Sequence, residues 1–275
     1  MSYEKSRRLA YRVRRHALDM TNRGGTSHIG SILSMADIVA VLYADVMRYD
    51  PANPRWPQRD RMVLSKGHAG AGMYAVLAES GFFPVSELEQ HCQNGSRLSG
   101  HVSHKGVPGV EVSTGSLGQG MPMAMGMAMT AKMNGSDHRV FCIIGDGECD
   151  EGAIWESALI ANQFALDNFI VTIDFNKIQS ITSVENTIRL EPLDQKWASF
   201  GWHVIRVDGH DHAALHQAYS EAIAARGQGK PIVVIADTVK GKGVSFMEGD
   251  VLWHYRTARG EEYDAAVKEL EAQKL

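Results

Sequence analysis

Two short runs of β-branched and aromatic residues frame the clearest pattern of hydrophobic and polar positions in this chain. Residues 140–144 and 169–175 each form such a run, and their length and composition predict buried strands. Between them, apolar residues from Glu151 to Asp167 recur three or four positions apart, which predicts a helix. A crossover between neighbouring parallel strands is nearly always right-handed. The carboxyl ends of both strands are therefore expected at the same edge of one sheet.

The alternation of strands and helices continues along the rest of the chain. Residues 3–20 predict an amphipathic helix, and residues 61–81 predict a strand, a glycine-rich turn and a helix. Residues 201–211 predict an edge strand and a turn, residues 212–227 a helix, and residues 231–243 a buried strand with a basic glycine-rich loop. This order predicts an α/β fold, a parallel sheet with helices on both faces.

Two apolar helices raise questions of capping and of burial. Ser34 or Asp37 is expected to cap the helix that buries Ile38. Residues 121–133, MPMAMGMAMTAKM, carry methionines and small residues on every face of a predicted helix. A helix that is apolar all round is buried. This one is expected either in the core or at a subunit interface, and the sequence favours neither.

Composition narrows the classes of protein. The chain has 275 residues, which fits one large or two small domains, and its formal net charge of −4 offers no strongly basic surface for nucleic acid. Its three cysteines show neither metal-ligand spacing nor a disulfide framework, which favours a reducing compartment. No apolar run approaches the ~18 residues of a membrane span, and the first residues lack the apolar segment of a secretory signal. We expect a cytoplasmic protein that does not bind membranes.

Asp146 and Asn176 follow the two central predicted strands and are expected to lie close together. A carboxylate, an amide oxygen and a nearby backbone carbonyl are hard oxygen ligands, which suit Mg²⁺ or Ca²⁺ rather than zinc. Gly145 and Gly147 flank Asp146 and allow the backbone to approach a bulky anion. Mg²⁺ usually keeps coordination positions open for phosphate oxygens. The prediction is a divalent metal that bridges the protein to a diphosphate.

The residues around this pair resemble the signature of thiamine-diphosphate enzymes, and of transketolases in particular. The resemblance rests on GDGECDEGAIWESALIAN, DFNKIQ, SKGHA and STGSLGQG, at 145–162, 174–179, 65–69 and 113–120. The GDG triplet alone would equally fit an unrelated turn after an α/β strand. The resemblance implies a thiamine-diphosphate-binding fold, with residues 1–275 as a single diphosphate-binding domain. It also implies thiamine diphosphate and Mg²⁺ or Ca²⁺ as cofactors.

The resemblance assigns roles to individual residues. It implies that His28, His101 and His254 are catalytic histidines that face the substrate. The implied metal ligands are Asp146, Asn176 and the backbone carbonyl of Ile178. The implied cofactor-binding residues are His68, Gly115, Ser116, Leu117, Gly147, Glu151, Asn176 and His254. Glu151 and Glu156 either face a partner subunit, as the family would have it, or serve helix capping and solubility.

The resemblance covers nearly the whole chain but only the first of three transketolase domains. We therefore expect a separate C-terminal subunit that carries the pyrimidine-binding half, and a heterotetramer of two copies of each chain. The implied reaction transfers a two-carbon ketol unit from a ketose phosphate to an aldose phosphate. This chain is expected to be active only with its partner.

Three other functions stay open. The chain could belong to another thiamine-diphosphate enzyme, such as a 2-oxo acid dehydrogenase α chain or half of a deoxyxylulose-phosphate synthase. His28, SKGHA and His101 favour transketolase over the former. A non-catalytic paralogue that binds only cofactor or partner is the second, and intact Asp146, Asn176 and His68 argue against it. A Mg²⁺-dependent hydrolase using Asp146 is the third, but it lacks a convincing second acidic ligand, since Asp174 alternates to the wrong side of its strand.

Several local motifs are given plain interpretations. The GSLGQG segment lacks the preceding strand of a dinucleotide-binding loop, and that function is rejected. His104, Lys240 and Lys242 are expected to be solvated. His210 and His212, beside two aspartates, are expected to belong to a tight turn rather than to a metal site.

Overall fold

The sheet consists of parallel strands throughout the part of the chain that the structure, a computed structural model, describes, which is residues 3–274. The strands are β1 Arg61–Leu64, β2 Val140–Gly145, β3 Phe169–Phe175, β4 His203–Asp208 and β5 Ile232–Asp237. Their order is β1-β2-β3-β5-β4, and each neighbouring pair is parallel. The predicted parallel α/β sheet is confirmed, and β4 is the edge strand that the sequence predicts.

Helices follow most of the strands. The α-helices of the described residues are α1 Glu4–Gly24, α2 Ile29–Val41, α3 Gly70–Glu79, α4 Gly120–Met133, α5 Gly152–Gln163, α6 Val184–Thr187, α7 Leu193–Ser199, α8 His212–Ala224 and α9 Glu261–Glu271. Strand β3 has the predicted bounds. Helix α5 is shorter than predicted, because the chain leaves it at Phe164 and Ala165 then takes a left-handed φ of 52°.

The strands send alternate side chains into two separate cores, one on each face of the sheet. Met62 and Leu64 of β1 pack in the core formed with α1, α2, α3 and α8. Val63, between them, packs in the core formed with α4, α5 and α7. The helices therefore cover both faces of the sheet, as the sequence predicts.

Helix α2 lies inside the protein on every side, since all of its residues are buried. The segment Ile29–Val46 is long and apolar enough to cross a membrane, and 83% of it is buried within the fold. The prediction that no apolar run reaches this length was therefore wrong. Burial of this segment against the other core helices accounts for its composition.

The start of α2 also differs from the prediction. The helix begins at Ile29, so Ser34 and Asp37 lie in its interior, and the expectation that one of them caps it was wrong. His28 occupies the cap position with a left-handed φ of 75°. Few residues other than glycine adopt this backbone conformation, and the sequence rules for capping residues do not include histidine.

Candidate active site

A cavity of about 250 Å³ opens at the carboxyl ends of the central strands. It is lined by His28, Ser31, Lys66, His68, His101, Gly115, Leu117, Gly145, Asp146, Gly147, Glu148, Asn176, Ile178, Gln179, Ser180, Lys240, His254 and Tyr255. The structure thus brings together most of the residues singled out from the sequence. Ser116 and Glu151 are exposed and lie outside this lining.

Four histidines from distant parts of the chain form one wall of the cavity. The ring centroid of His28 lies 5.1 Å from that of His68, 5.0 Å from that of His254 and 5.6 Å from that of His101. Burial, followed by the charges of neighbouring groups, lowers the pKa of His28 to about 4 and that of His254 to about 3. Burial also lowers the pKa of His68 well below its usual range. Near neutral pH these three imidazoles are uncharged, so each can donate one hydrogen bond and accept another.

Backbone contacts hold two of these histidines in fixed relation. The amide of His28 donates to the carbonyl of His254 at 2.8 Å. Nearby, the hydroxyl of Thr257 donates to the carbonyl of Thr26 at 2.6 Å. These bonds join the loop before α2 to the segment after residue 253. The strained φ of His28 is held in place by this connection.

The predicted metal ligands lie at the ends of β2 and β3. The carboxylate of Asp146 is buried and accepts hydrogen bonds from the amides of Gly147, at 2.8 Å, and Lys177, at 2.6 Å. The side-chain NH₂ of Asn176 donates a hydrogen bond to the carboxylate of Asp174 at 3.4 Å. The side-chain oxygen of Asn176 accepts a hydrogen bond from the amide of Ile178 at 3.2 Å. The side-chain oxygens of Asp146 and Asn176 are hard ligands, as Mg²⁺ or Ca²⁺ requires.

The pKa of the Asp146 carboxylate is consistent with a binding site for a cation. Burial and the nearby carboxylate of Asp174 raise the pKa of Asp146 to about 7. A bound divalent cation would favour the ionised form. Residues 3–274 contain no cluster of three or more His, Cys, Asp or Glu side chains suited to a metal. A metal held by Asp146, Asn176 and one backbone carbonyl would complete its coordination with oxygen ligands from water or from a bound phosphate group.

Lys66 lines the cavity and forms a buried ion pair with Asp174, which does not line it. Its ammonium group contacts the carboxylate of Asp174, and both side chains are almost completely inaccessible to solvent. The ammonium also donates to the carbonyl of Ser31 at 3.0 Å, and the Ser34 hydroxyl donates to Asp174 at 2.6 Å. Burial alone would raise the pKa of Asp174, but Lys66 together with the hydroxyls of Ser34 and Thr238 lowers it. Asp174 is thus a structural anion outside the cavity lining, in agreement with the alternation expected along its strand.

Lys240 corrects a sequence prediction, because it is buried and reaches the cavity instead of being solvated. Its ammonium group donates to the carbonyls of Ile178, at 2.8 Å, and Gln179, at 2.9 Å, and to Nδ1 of His254, at 2.8 Å. Burial lowers the pKa of Lys240 to about 8. The usable signal in the sequence was its place after β5, whose carboxyl end lies at the same edge of the sheet as Asp146.

Glu148 is a second residue that the sequence analysis missed. It is buried in the turn after β2, where its carboxylate accepts hydrogen bonds from the amides of Gly118, at 3.0 Å, and Gly145, at 2.9 Å, and from the hydroxyl of Ser65. It ties three segments of the cavity wall together. Gly67 allows the same close assembly, because a Cβ there would lie 2.3 Å from the carbonyl oxygen of Thr114.

The histidine wall predicts a loss of stability in mild acid. The folded protein resists protonation of His28 and His254, whereas the unfolded chain takes up protons near the ordinary histidine pKa of 6.5. Stability from this source is complete above that pH and is lost as the pH falls towards about 4. We expect the free energy of unfolding, measured with urea, to decline across this window. His28→Asn should flatten the slope, while replacement of the exposed His104 should leave it unchanged.

Known proteins of one family match nearly the whole of this chain. The family model of the transketolase thiamine diphosphate binding domain matches residues 5–271. A 6-deoxy-6-sulfo-D-fructose transketolase subunit of Clostridium sp. is 42% identical over 259 residues, with 94% of each chain covered. An apulose-4-phosphate transketolase subunit of Actinobacillus succinogenes is 39% identical over 272 residues, covering 98% of this chain and 97% of that one.

A solved structure extends the likeness to the fold. The transketolase of Campylobacter jejuni superposes with a TM-score of 0.91 at 32% identity, and the match covers 98% of this chain. It covers 43% of the Campylobacter chain. This chain therefore spans less than half of that protein, but nearly the whole length of the Clostridium and Actinobacillus subunits.

Proposed function

Because this chain belongs to the transketolase family, as its thiamine diphosphate binding domain, we propose that it is the cofactor-binding subunit of a two-chain transketolase. The observation that carries the proposal is the cavity whose lining combines four histidines with Asp146 and Asn176. The two subunit relatives match this chain over nearly their whole length.

We assign the metal and the diphosphate to the strand ends. Asp146, Asn176 and the carbonyl of Ile178 would hold Mg²⁺ or Ca²⁺. Gly147 and His68 would approach the diphosphate, with the Lys240 ammonium group as an additional cation beside them. Thiamine diphosphate, when bound, supplies the carbon nucleophile that accepts a two-carbon unit from a ketose.

The histidines bind and orient the substrate in this proposal. His28, His101 and His254 would hydrogen-bond to the substrate's hydroxyl groups. The low pKa values of His28 and His254 keep both rings neutral near neutral pH. Because Nδ1 of His254 accepts from Lys240, its Nε2 carries the ring proton and would donate to a substrate hydroxyl. The bond between the His28 amide and the His254 carbonyl fixes the spacing of these two rings.

The surface of the chain supports a partner subunit. Helix α5 exposes Leu159 and Ile160, and Phe164 is exposed directly after it. Helix α4 exposes Met123 on its outer side, while its other side packs in the core. Only one side of α4 is thus buried within this chain, and the predicted subunit interface for the other side stays a prediction. Ile181, Leu252 and Tyr255 expose further apolar surface, with Tyr255 at the mouth of the cavity. Large exposed apolar areas of this kind favour association, and we propose that the pyrimidine-binding subunit covers them in a heterotetramer.

The substrate class is proposed from the named relatives. One relative is named for a sulfonated fructose and another for a phosphorylated apulose. We propose a ketose donor with an anionic group at the end distant from the reacting carbons. In this proposal the partner subunit binds that group, while the histidine wall binds the hydroxyls near the reacting carbons.

The test is a ketol-transfer assay with thiamine diphosphate, Mg²⁺ and a panel of ketose phosphates and sulfonates. The chain is assayed alone and after co-expression with a candidate C-terminal transketolase subunit. We expect activity in the mixture and none in either chain alone, because each contributes half of the site. The measured quantity is the initial rate of aldose release.

Two results would count against the proposal. Turnover by this chain alone would refute the need for a partner. Decarboxylation of a 2-oxo acid by the mixture, without ketol transfer, would move the chain to the other class of thiamine-diphosphate enzyme considered from the sequence.

A further inference from the structure

A buried polar cluster lies outside the cavity, around the carboxylate of Asp37 in α2. This carboxylate accepts hydrogen bonds from both terminal nitrogens of Arg14. Nδ1 of His210 lies 2.7 Å from one carboxylate oxygen, and Nε2 of His212 lies 3.1 Å from the other. Burial alone would raise the pKa of Asp37, but Arg14 and the two histidines hold it well below its usual range. The Asp37 carboxylate is therefore ionised, and Arg14 and the two histidines stabilise its charge.

The prediction of turn chemistry holds for the two neighbouring aspartates but not for the imidazoles. Asp208 accepts from the amide of His210 at 2.8 Å, and Asp211 caps α8 by accepting from the amide of Ala213 at 2.8 Å. Both histidine rings instead point inwards to Asp37. The proposed function gives this arrangement no task.

The contacts of His210 fix its tautomer. The amide of Val239 donates to Nε2 of His210 at 2.9 Å. A backbone amide can only donate, so Nε2 must carry a lone pair, and the proton of the neutral ring must be on Nδ1. That proton is donated to Asp37. His210 thus links a buried anion to a specific backbone amide, in one orientation.

Val239 immediately precedes Lys240, in the run that leaves β5 for the cavity. The amide of Thr238 donates to the carbonyl of Phe175 at 3.1 Å, and the amide of Gly241 donates to the carbonyl of Gly30 at 3.0 Å. Between these two backbone anchors, His210 holds the amide of Val239. The Lys240 side chain then extends to the carbonyls and the histidine nitrogen that it contacts in the cavity.

From this geometry we propose that His210 is a positioning residue, which orients Lys240 towards the cofactor site through the Val239 amide. The inference rests on the proposed function, since it assumes that Lys240 contacts the diphosphate. Asp37 and Arg14 hold the imidazole in the required orientation and tautomer. Loss of His210 would leave the partly buried amide of Val239 without its acceptor, and the run would move to satisfy it.

The test measures the Kd for thiamine diphosphate with Mg²⁺, by calorimetry, on the chain in complex with its partner subunit. We expect His210→Ala to weaken binding about tenfold, the size of one hydrogen bond. His210→Gln should restore binding to within about twofold, because its amide oxygen can accept from Val239 while its NH₂ donates to Asp37. His210→Phe keeps the ring, removes both bonds and should bind as weakly as the alanine variant, which guards against a folding failure of the latter.

A double-mutant cycle separates positioning from general support of the fold. Once Lys240→Met has removed the ammonium group, His210→Ala should weaken binding by less than about twofold more. His212→Ala is the matched control, since it also removes a partner of Asp37, whereas the His212 side chain bonds to Asp37 and not to the 238–241 run. It should lower the melting temperature and leave the Kd unchanged.

The failures of the two proposals are distinguishable. If the wild-type complex binds no thiamine diphosphate, the proposed function and the role of His210 fall together. If it binds, and His210→Ala and His210→Phe bind equally well, only the role of His210 is overturned. Full additivity with Lys240→Met, or a Gln variant as weak as the Ala variant, would overturn it as well.

Discussion

Asp146→Ala abolishes metal-dependent binding of thiamine diphosphate while the protein remains folded. The variant removes the carboxylate from the proposed metal site and leaves an amide and a backbone carbonyl. Calorimetry with Mg²⁺ should show an affinity at least about 100-fold weaker than that of the wild type, a loss in the upper range of what metal-site changes cost. Circular dichroism and the melting temperature should stay close to wild type, because the carboxylate is destabilised by burial in the metal-free protein.

Asp150→Ala is the control for that experiment. Asp150 lies in the same turn after β2 and accepts from the side chain of Gln179 at 2.7 Å, but it does not line the cavity. Its removal should change the affinity by less than about threefold, since it costs one partly exposed hydrogen bond. Equal binding by wild type and Asp146→Ala would disprove the assignment of the metal site.

Lys66→Met destabilises the protein by about 3–5 kcal/mol, because it leaves the carboxylate of Asp174 buried without its cation. The two side chains are 1% and 0% exposed, so water cannot replace the ammonium group. The free energy of unfolding is measured by urea denaturation near neutral pH. The cofactor is left out, so that binding does not add to the measured stability.

Two further variants serve as controls for the Lys66→Met result. Combining Lys66→Met with Asp174→Asn removes the uncompensated charge and should recover much of the lost stability. Lys177→Met breaks the exposed ion pair with Asp237, which spans 3.2 Å, and should cost at most about 1 kcal/mol. A cost as small for Lys66→Met would mean that the buried pair is not required for the fold.

The meeting of Asp146 and Asn176 could be predicted from the sequence because strand polarity alone places them. Once residues 140–144 and 169–175 are parallel strands, Asp146 and Asn176 must meet at one edge of the sheet. The histidine wall could not be derived this way, since His28 and His254 come from opposite ends of the chain. Only the resemblance to transketolases brought them together before the structure did.

Lys240 and His210 show what local rules cannot supply. A lysine in a glycine-rich loop is usually solvated, and its burial here depends on Gly30, where a Cβ would lie 3.1 Å from the lysine side chain. The inward turn of His210 depends on an anion in the middle of α2. Both are tertiary effects that involve partners far away in the sequence. The prediction of the α2 cap was wrong for a related reason. The backbone of His28, at the start of α2, is held by its hydrogen bond to the carbonyl of His254.

The burial of α2 has a consequence for how the protein is made. During synthesis this most apolar segment leaves the ribosome soon after α1, and well before α8 and residues 251–254, which also cover it. Until then part of its surface lacks its native cover and is open to chaperones or to other nascent chains. Ribosome pausing or truncation between these points would therefore favour aggregation.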